Sequence, residues 1–192
     1  MLFNSLEYLL FLSIFFFVYW SSSSMKWISQ NLLLLIGSYI FYSFWDYRFL
    51  ILIIFSTLIN FIGGKKIYKE IKKSKKKFIL SVCLIFNIGL IFIFKYFNFF
   101  IDSLNYSFSW ISKNSIQFET LNIILPVGIS FYTFQSMSYT IDIYRGESKP
   151  TKNLISFATF IAFFPQLVAG PIERAKTFLP QILKYRKFNK NQ

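Results

Sequence analysis

The sequence predicts an all-α, polytopic transmembrane protein with interfacial and broken helices, forming a single unit over residues 1–192. Three observations predict it. Uncharged apolar blocks alternate along the chain with short charged ones. The composition is 55% hydrophobic and 22% aromatic, against about 45–50% apolar in ordinary globular chains. Finally, eight lysines fall in one block, Lys65–Lys77, between two apolar runs. A basic loop flanked by spans is the positive-inside signal, and it accounts for the net charge of +13 without a nucleic-acid partner.

Six spans are expected, near 6–20, 27–45, 49–64, 78–94, 126–145 and 154–170. The first, LEYLLFLSIFFFVYW, has no basic residue before it and no convincing small-residue cleavage site after it, so it reads as a span rather than a signal peptide. The second carries Tyr39, Tyr42 and Trp45 toward its end, where interfacial aromatics gather. Asp46-Tyr47-Arg48 breaks the chain before the third. The fourth follows the lysine block. Each run is about 15–20 residues long, enough to cross a hydrocarbon core at about 1.5 Å per residue. With Lys65–Lys77 placed in the cytoplasm, Ser21–Lys26 is inside, and the N-terminus and Asp46–Arg48 are outside. Residues 95–122 mix aromatics with polar groups and read as a helix lying at the interface.

The fifth segment, LPVGISFYTFQSMSYTIDIYRGE (125–147), is the most polar of the apolar stretches. Pro126 and Gly128 are expected to open its helix and Gly146 to close it. At about 100° per residue, Gln135, Ser138, Asp142 and Arg145 form one stripe, and Phe134, Met137, Ile141 and Tyr144 fall on a different side. Asp142 and Arg145 are spaced to pair. Polar groups at membrane depth face protein or a cavity, so Gln135 and Asp142 should avoid lipid while Phe134 and Met137 lie more peripherally. Asp142 and Arg145 also fit the plain end of a span at the interface. The sixth segment, FFPQLVAGPIERAKTF (163–178), is interrupted by Pro165 and by Ala169-Gly170-Pro171. Leu154–Phe164 alone is about 16 Å of helix, too short to cross. A broken backbone at that depth must be buried in protein or line a cavity.

These two segments together resemble the paired signature of membrane-bound O-acyltransferases, most nearly the bacterial alginate O-acetylation branch. The resemblance extends through MLFNSLEYLLFL, NLLLLIGSYIFYSFWDYRFL and the KYFNFF after the fourth run. It implies a multi-pass enzyme of the bacterial inner membrane. Such an enzyme moves an acyl group, typically acetyl, from a thioester donor (acetyl-CoA or an acyl carrier protein) to a hydroxyl. The acceptor is an exported polysaccharide or a periplasmic or extracellular acetyltransferase partner. No bound cofactor and no metal are implied. The family's spans form a funnel with an essential histidine in a downstream Trp-His-Gly-like element. The positions that match are Pro126, Gly128, Ser130, Phe131, Gln135, Tyr139, Asp142, Arg145 and Gly146, then Pro165, Gln166, Gly170, Pro171 and Arg174, read as tunnel and scaffold residues.

The chain departs from the family by having no histidine. No catalytic residue can be assigned to it. It reads as an N-terminal portion, inactive alone and needing a complementing C-terminal polypeptide. Without histidine, neither a Ser–His nor a Cys–His nucleophile can be assembled, and the single Cys83 excludes an intramolecular disulfide. A transporter-like element, which also uses broken helices with polar faces, and a purely structural membrane protein stand as alternatives.

Overall fold

The computed structural model describes residues 4–22, 24–111, 118–121, 123–167, 170–171 and 173–187. The described chain is helical, with no strand among these residues. Helix α1 (Leu6–Ser21) starts at Ser5, whose hydroxyl accepts the Tyr8 amide. Helix α2 (Trp27–Asp46) ends where Asp46 turns extended (φ −162°, ψ 112°), and one 3₁₀ turn, Tyr47–Phe49, leads into α3 (Leu50–Lys69). The Asp46 carboxylate accepts both the Arg48 amide (2.9 Å) and its guanidinium (2.6 Å), which fixes this turn.

Helix α4 (Lys73–Ile91) continues through a π-turn at Phe92–Tyr96 into α5 (Phe97–Ile111). Residues 97–111 thus extend the fourth helix instead of forming a separate one, because no breaker interrupts the run. Helix α6 (Ile129–Tyr144) precedes α7 (Leu154–Ala162), the short α8 (Phe164–Leu167) and α9 (Ala175–Ile182). Two helical stretches, Trp27–Lys69 and Lys73–Phe108, are long and apolar enough to cross a membrane, and Leu6–Ser21 and Leu154–Leu167 are shorter apolar ones.

The lysine block is helical at both ends. Lys65–Lys69 complete α3 and Lys73–Lys77 begin α4, leaving only residues 70–72 between them. Lysine is a good helix former, so charge alone does not end a helix. Glu70 bridges the gap: its carboxylate accepts the Lys72 and Ile71 amides, each at 3.1 Å. Those amides, the Lys72 one first, together with nearby lysines hold its pKa below the ordinary value.

Glycine lets the helices close on one another. A Cβ on Gly63 would stand 2.3 Å from Cys83 Sγ on α4, and one on Gly64 2.8 Å from the Tyr139 ring on α6. Small residues at such crossings allow backbones to approach, the main source of helix association in lipid. The core is built from Ile53, Phe61 and Ile67 of α3, Tyr132, Tyr139 and Ile143 of α6, and Phe157 and Phe160 of α7. Tyr139 and Phe157 meet with ring centroids 4.4 Å apart. Helix α1 joins this body through its aromatics, with Phe11 and Phe15 packed at 5.5 and 5.7 Å on Phe164.

Candidate functional site

Helix α6 is the centre of the molecule, buried over more than half its circumference. It begins three residues later than the sequence predicts. Gly128 adopts φ +73°, a left-handed conformation that no right-handed helix can contain, so Pro126 and Val127 form a turn and the helix starts at Ile129. At the other end Gly146 (φ +79°) closes α6 as predicted. Its amide reaches the Ile143 carbonyl at 3.0 Å and the Glu147 amide reaches the Asp142 carbonyl at 2.9 Å, the paired bonds of a left-handed cap.

Gly128 also meets the second signature segment. A Cβ there would lie 2.6 Å from the backbone oxygen of Leu167 in α8. The two motifs therefore form one joint, with the turn before α6 lying against the end of α8. The break in the second motif falls at Phe163 (ψ 104°), not at Pro165, which takes the second position of α8, where its missing N–H costs nothing. Broken backbone needs partners, and side chains provide them. Gln135 donates to the Phe160 carbonyl (3.1 Å) in the last turn of α7, Ser38 Oγ accepts the Phe164 amide (3.3 Å), and Tyr42 donates to the Val127 carbonyl (3.0 Å). Both breaks are thus buried in protein and held by α2 and α6.

The predicted polar stripe lies along the edge of the buried face. Gln135 and Asp142 are 6% and 5% exposed, Ser138 is half-buried, and Arg145 is outside. Phe134 is peripheral, at 48%, but Met137 is buried at 7%, because α3 and α4 both pack on α6 and widen its covered face. Arg145 approaches Glu147 at 4.0 Å, and among the described residues it forms no ion pair with Asp142. Tyr139 is fully buried, its hydroxyl accepting the Thr151 amide at 3.3 Å. Pro126 is buried, Ser130 and Phe131 are half-buried in the first turn of α6, and Pro165, Gly170, Pro171 and Arg174 are exposed, with Arg174 at the start of α9. Val168, Ala169 and Ile172 lie outside the described residues.

Two polar groups at the joint have no hydrogen-bond partner among the described residues: the Tyr132 hydroxyl, one turn beyond Gly128, and Gln166 Oε1, next to Leu167. Asp142 Oδ2 and Thr57 Oγ1 are likewise buried without one. Buried polar groups are rarely left so. They can accept, and Tyr132 can also donate, a hydrogen bond from a group entering the joint.

Sequence reasoning missed two sets of residues. One is the stripe Asn31, Ser38 and Tyr42 on α2, which falls within about 40° at about 100° per residue and could have been read from that spacing. Asn31 donates to Ile182 O and Ser156 Oγ, both at 3.0 Å, so this stripe clamps α7 and α9 as well. The other is a closed cluster among α3, α4 and α6. Asn87 Nδ2 donates to Asn60 Oδ1 (3.2 Å) and to the Cys83 carbonyl (2.7 Å), while Asn87 Oδ1 accepts from Ser56 (2.9 Å) and Asn60 (3.3 Å). Ser136 Oγ lies 3.3 Å from Ser56 Oγ. Asparagine in the middle of an apolar run was the available signal.

The chain is 42% identical over 186 residues to a probable alginate O-acetylase, AlgI, of Pseudomonas aeruginosa, covering 94% of this chain and 34% of that protein. It is 39% identical over 184 residues to the corresponding protein of Azotobacter vinelandii, again over 94% of this chain, and 36% of that one. A peptidoglycan O-acetyltransferase of Helicobacter pylori is 33% identical over 175 residues, 79% of this chain and 32% of that protein. The chain thus spans about a third of the length of the curated relatives it matches. No protein-family model and no solved structure matches it.

Proposed function

We propose that this chain, which belongs to the alginate O-acetylase branch of the membrane-bound O-acyltransferases, builds the N-terminal part of an enzyme that transfers acetyl groups to hydroxyls of an exported polysaccharide. The observation that carries this is the 42% identity to a probable alginate O-acetylase across 94% of the chain. In such a transfer the acceptor oxygen attacks the carbonyl carbon of a thioester, the C–S bond breaks, and the acceptor's proton passes to a base. The donor is acetyl-CoA or an acetylated carrier protein. Among these 192 residues there is no histidine to take that proton. The base therefore comes from polypeptide outside them, and the role assigned to this part is to hold the tunnel wall at the α6–α8 joint. The acceptor is a polysaccharide or an acetyltransferase on the far side of the membrane.

The same reading places the lysine-rich end in the cytoplasm. Its support is geometric. Lys65 Nζ reaches the Lys152 carbonyl at 3.3 Å, and Arg186 is bound to Gln30 near the start of α2, so several basic segments gather at one end. With cysteine placed at position 72 or at position 3, an impermeant thiol reagent should miss the first and reach the second. Labelling of position 72 from outside would reverse the orientation.

The functional test is an acetyl-transfer assay from an acetyl thioester to a polysaccharide acceptor. The 192-residue chain alone should give no transfer above background, and co-expression with the C-terminal two-thirds of an AlgI relative should restore it. Robust turnover by the chain alone would locate the chemistry elsewhere.

A further inference from the structure

We infer that the cleft between the start of α2, the α6–α7 loop and α9 is a binding site for a phosphorylated nucleotide. This cleft has a volume of about 520 Å³, within the range of about 300–1,000 Å³ typical of small-molecule sites. It lies at the lysine-rich end of the bundle. The other end of α6, where Gly128 meets Leu167, is about 24 Å away along that helix at 1.5 Å per residue.

The chemistry of the lining is two-sided. Lys149, Lys152 and Lys176 bring three ammonium groups to the cleft, and among the described residues none of them forms an ion pair. The carboxylate in the lining is Glu147, which already lies 4.0 Å from Arg145. Three cations facing one engaged anion leave the cleft strongly positive, and low-dielectric walls focus that potential on an incoming anion. The remaining wall is rings and aliphatic carbon: Trp27, Pro150 and Pro180, above the buried Ala175 and Leu179. A half-buried indole beside a cluster of lysines suits a ligand that is both polyanionic and planar, with phosphates on the ammonium groups and the base against the ring. Helices α2 and α9 both begin at this cleft without a side-chain cap, which adds to the positive potential.

The test is calorimetric titration of the purified chain in phosphatidylcholine nanodiscs with ADP, inorganic pyrophosphate and glycerol 3-phosphate. ADP should bind saturably at one site. The combined Lys149→Gln, Lys152→Gln and Lys176→Gln substitutions should weaken ADP and pyrophosphate at least about tenfold, and Trp27→Leu should weaken ADP at least about fivefold while leaving pyrophosphate unchanged. The three lysines are exposed, and circular dichroism checks that every variant keeps its helix content. Absence of saturable ADP binding would overturn the proposal, and so would ADP binding that survives the triple substitution. Glycerol 3-phosphate binding as tightly as ADP, with no effect of Trp27→Leu, would make the cleft a lipid-headgroup site instead and also overturn it. The readout is binding, so it stands apart from the acetyl-transfer assay.

Discussion

The molecule buries polar groups in two places and treats them oppositely. Between α3, α4 and α6, the amides of Asn60 and Asn87 satisfy each other, Ser56 and the backbone, leaving neither amide with an unmet donor. At the joint of α6 and α8, the backbone is satisfied by Tyr42, Ser38 and Gln135, yet Tyr132 Oη and Gln166 Oε1 face no partner among the described residues. A closed network specifies how helices pack. An open one is tolerated where something else completes it, because a lone buried hydroxyl or amide oxygen is costly. The difference separates the part of this chain that holds the fold from the part that is prepared to receive a substrate or further protein.

The largest test breaks the joint. Gly128→Val puts a branched side chain at φ +73° and drives a Cβ to 2.6 Å from the Leu167 carbonyl oxygen. We expect a loss of about 3 kcal/mol or more, read by denaturant unfolding in detergent. Hydrogen exchange should accelerate first in α8 while α3 and α4 stay protected. Uniform acceleration throughout would mean that the joint and the asparagine cluster are one cooperative unit.

Next is the backbone contact on the closed side. Gly63→Ala forces a methyl to 2.3 Å from Cys83 Sγ, and about 2 kcal/mol should be lost by overpacking. Adding Cys83→Ala removes the obstruction and should return most of it. A double variant no better than Gly63→Ala would place the strain elsewhere.

The polar groups themselves give the smaller effects and the sharper contrast. Asn87→Leu keeps the volume but strips Asn60 and Ser56 of their partner, and about 1–2 kcal/mol should be lost on unfolding. Tyr132→Phe removes a hydroxyl without a partner and should change stability by less than about 0.5 kcal/mol. In the complemented enzyme, Tyr132→Phe should lower acetyl transfer and Asn87→Leu should not, once both are compared at equal amounts of folded protein. The reverse ranking would exchange the roles of the two regions.

Much of this was legible in the sequence. The run pattern gave the all-helical class, and the two motifs were marked by proline and glycine where the backbone does break. The misplacements have specific causes. Pro126 permits a helix start but does not require one, whereas the positive φ of Gly128 forbids an earlier start. Helical-wheel arithmetic placed Met137 with Phe134, but burial depends on how many neighbours pack on α6, which a single segment does not encode. The pairing of Asn60 with Asn87 joins residues on different helices, so the sequence shows that each needs a partner without showing which. The meeting of Gly128 with Leu167 is equally invisible before the chain folds.

Cys83 offers a clock. It is the chain's one thiol, 2% exposed, with its sulfur against the bare face of Gly63. A reagent can reach it only when α3 and α4 part, so the rate at which the native protein is alkylated counts those openings directly. The bundle carries its own reporter of breathing, with no label added.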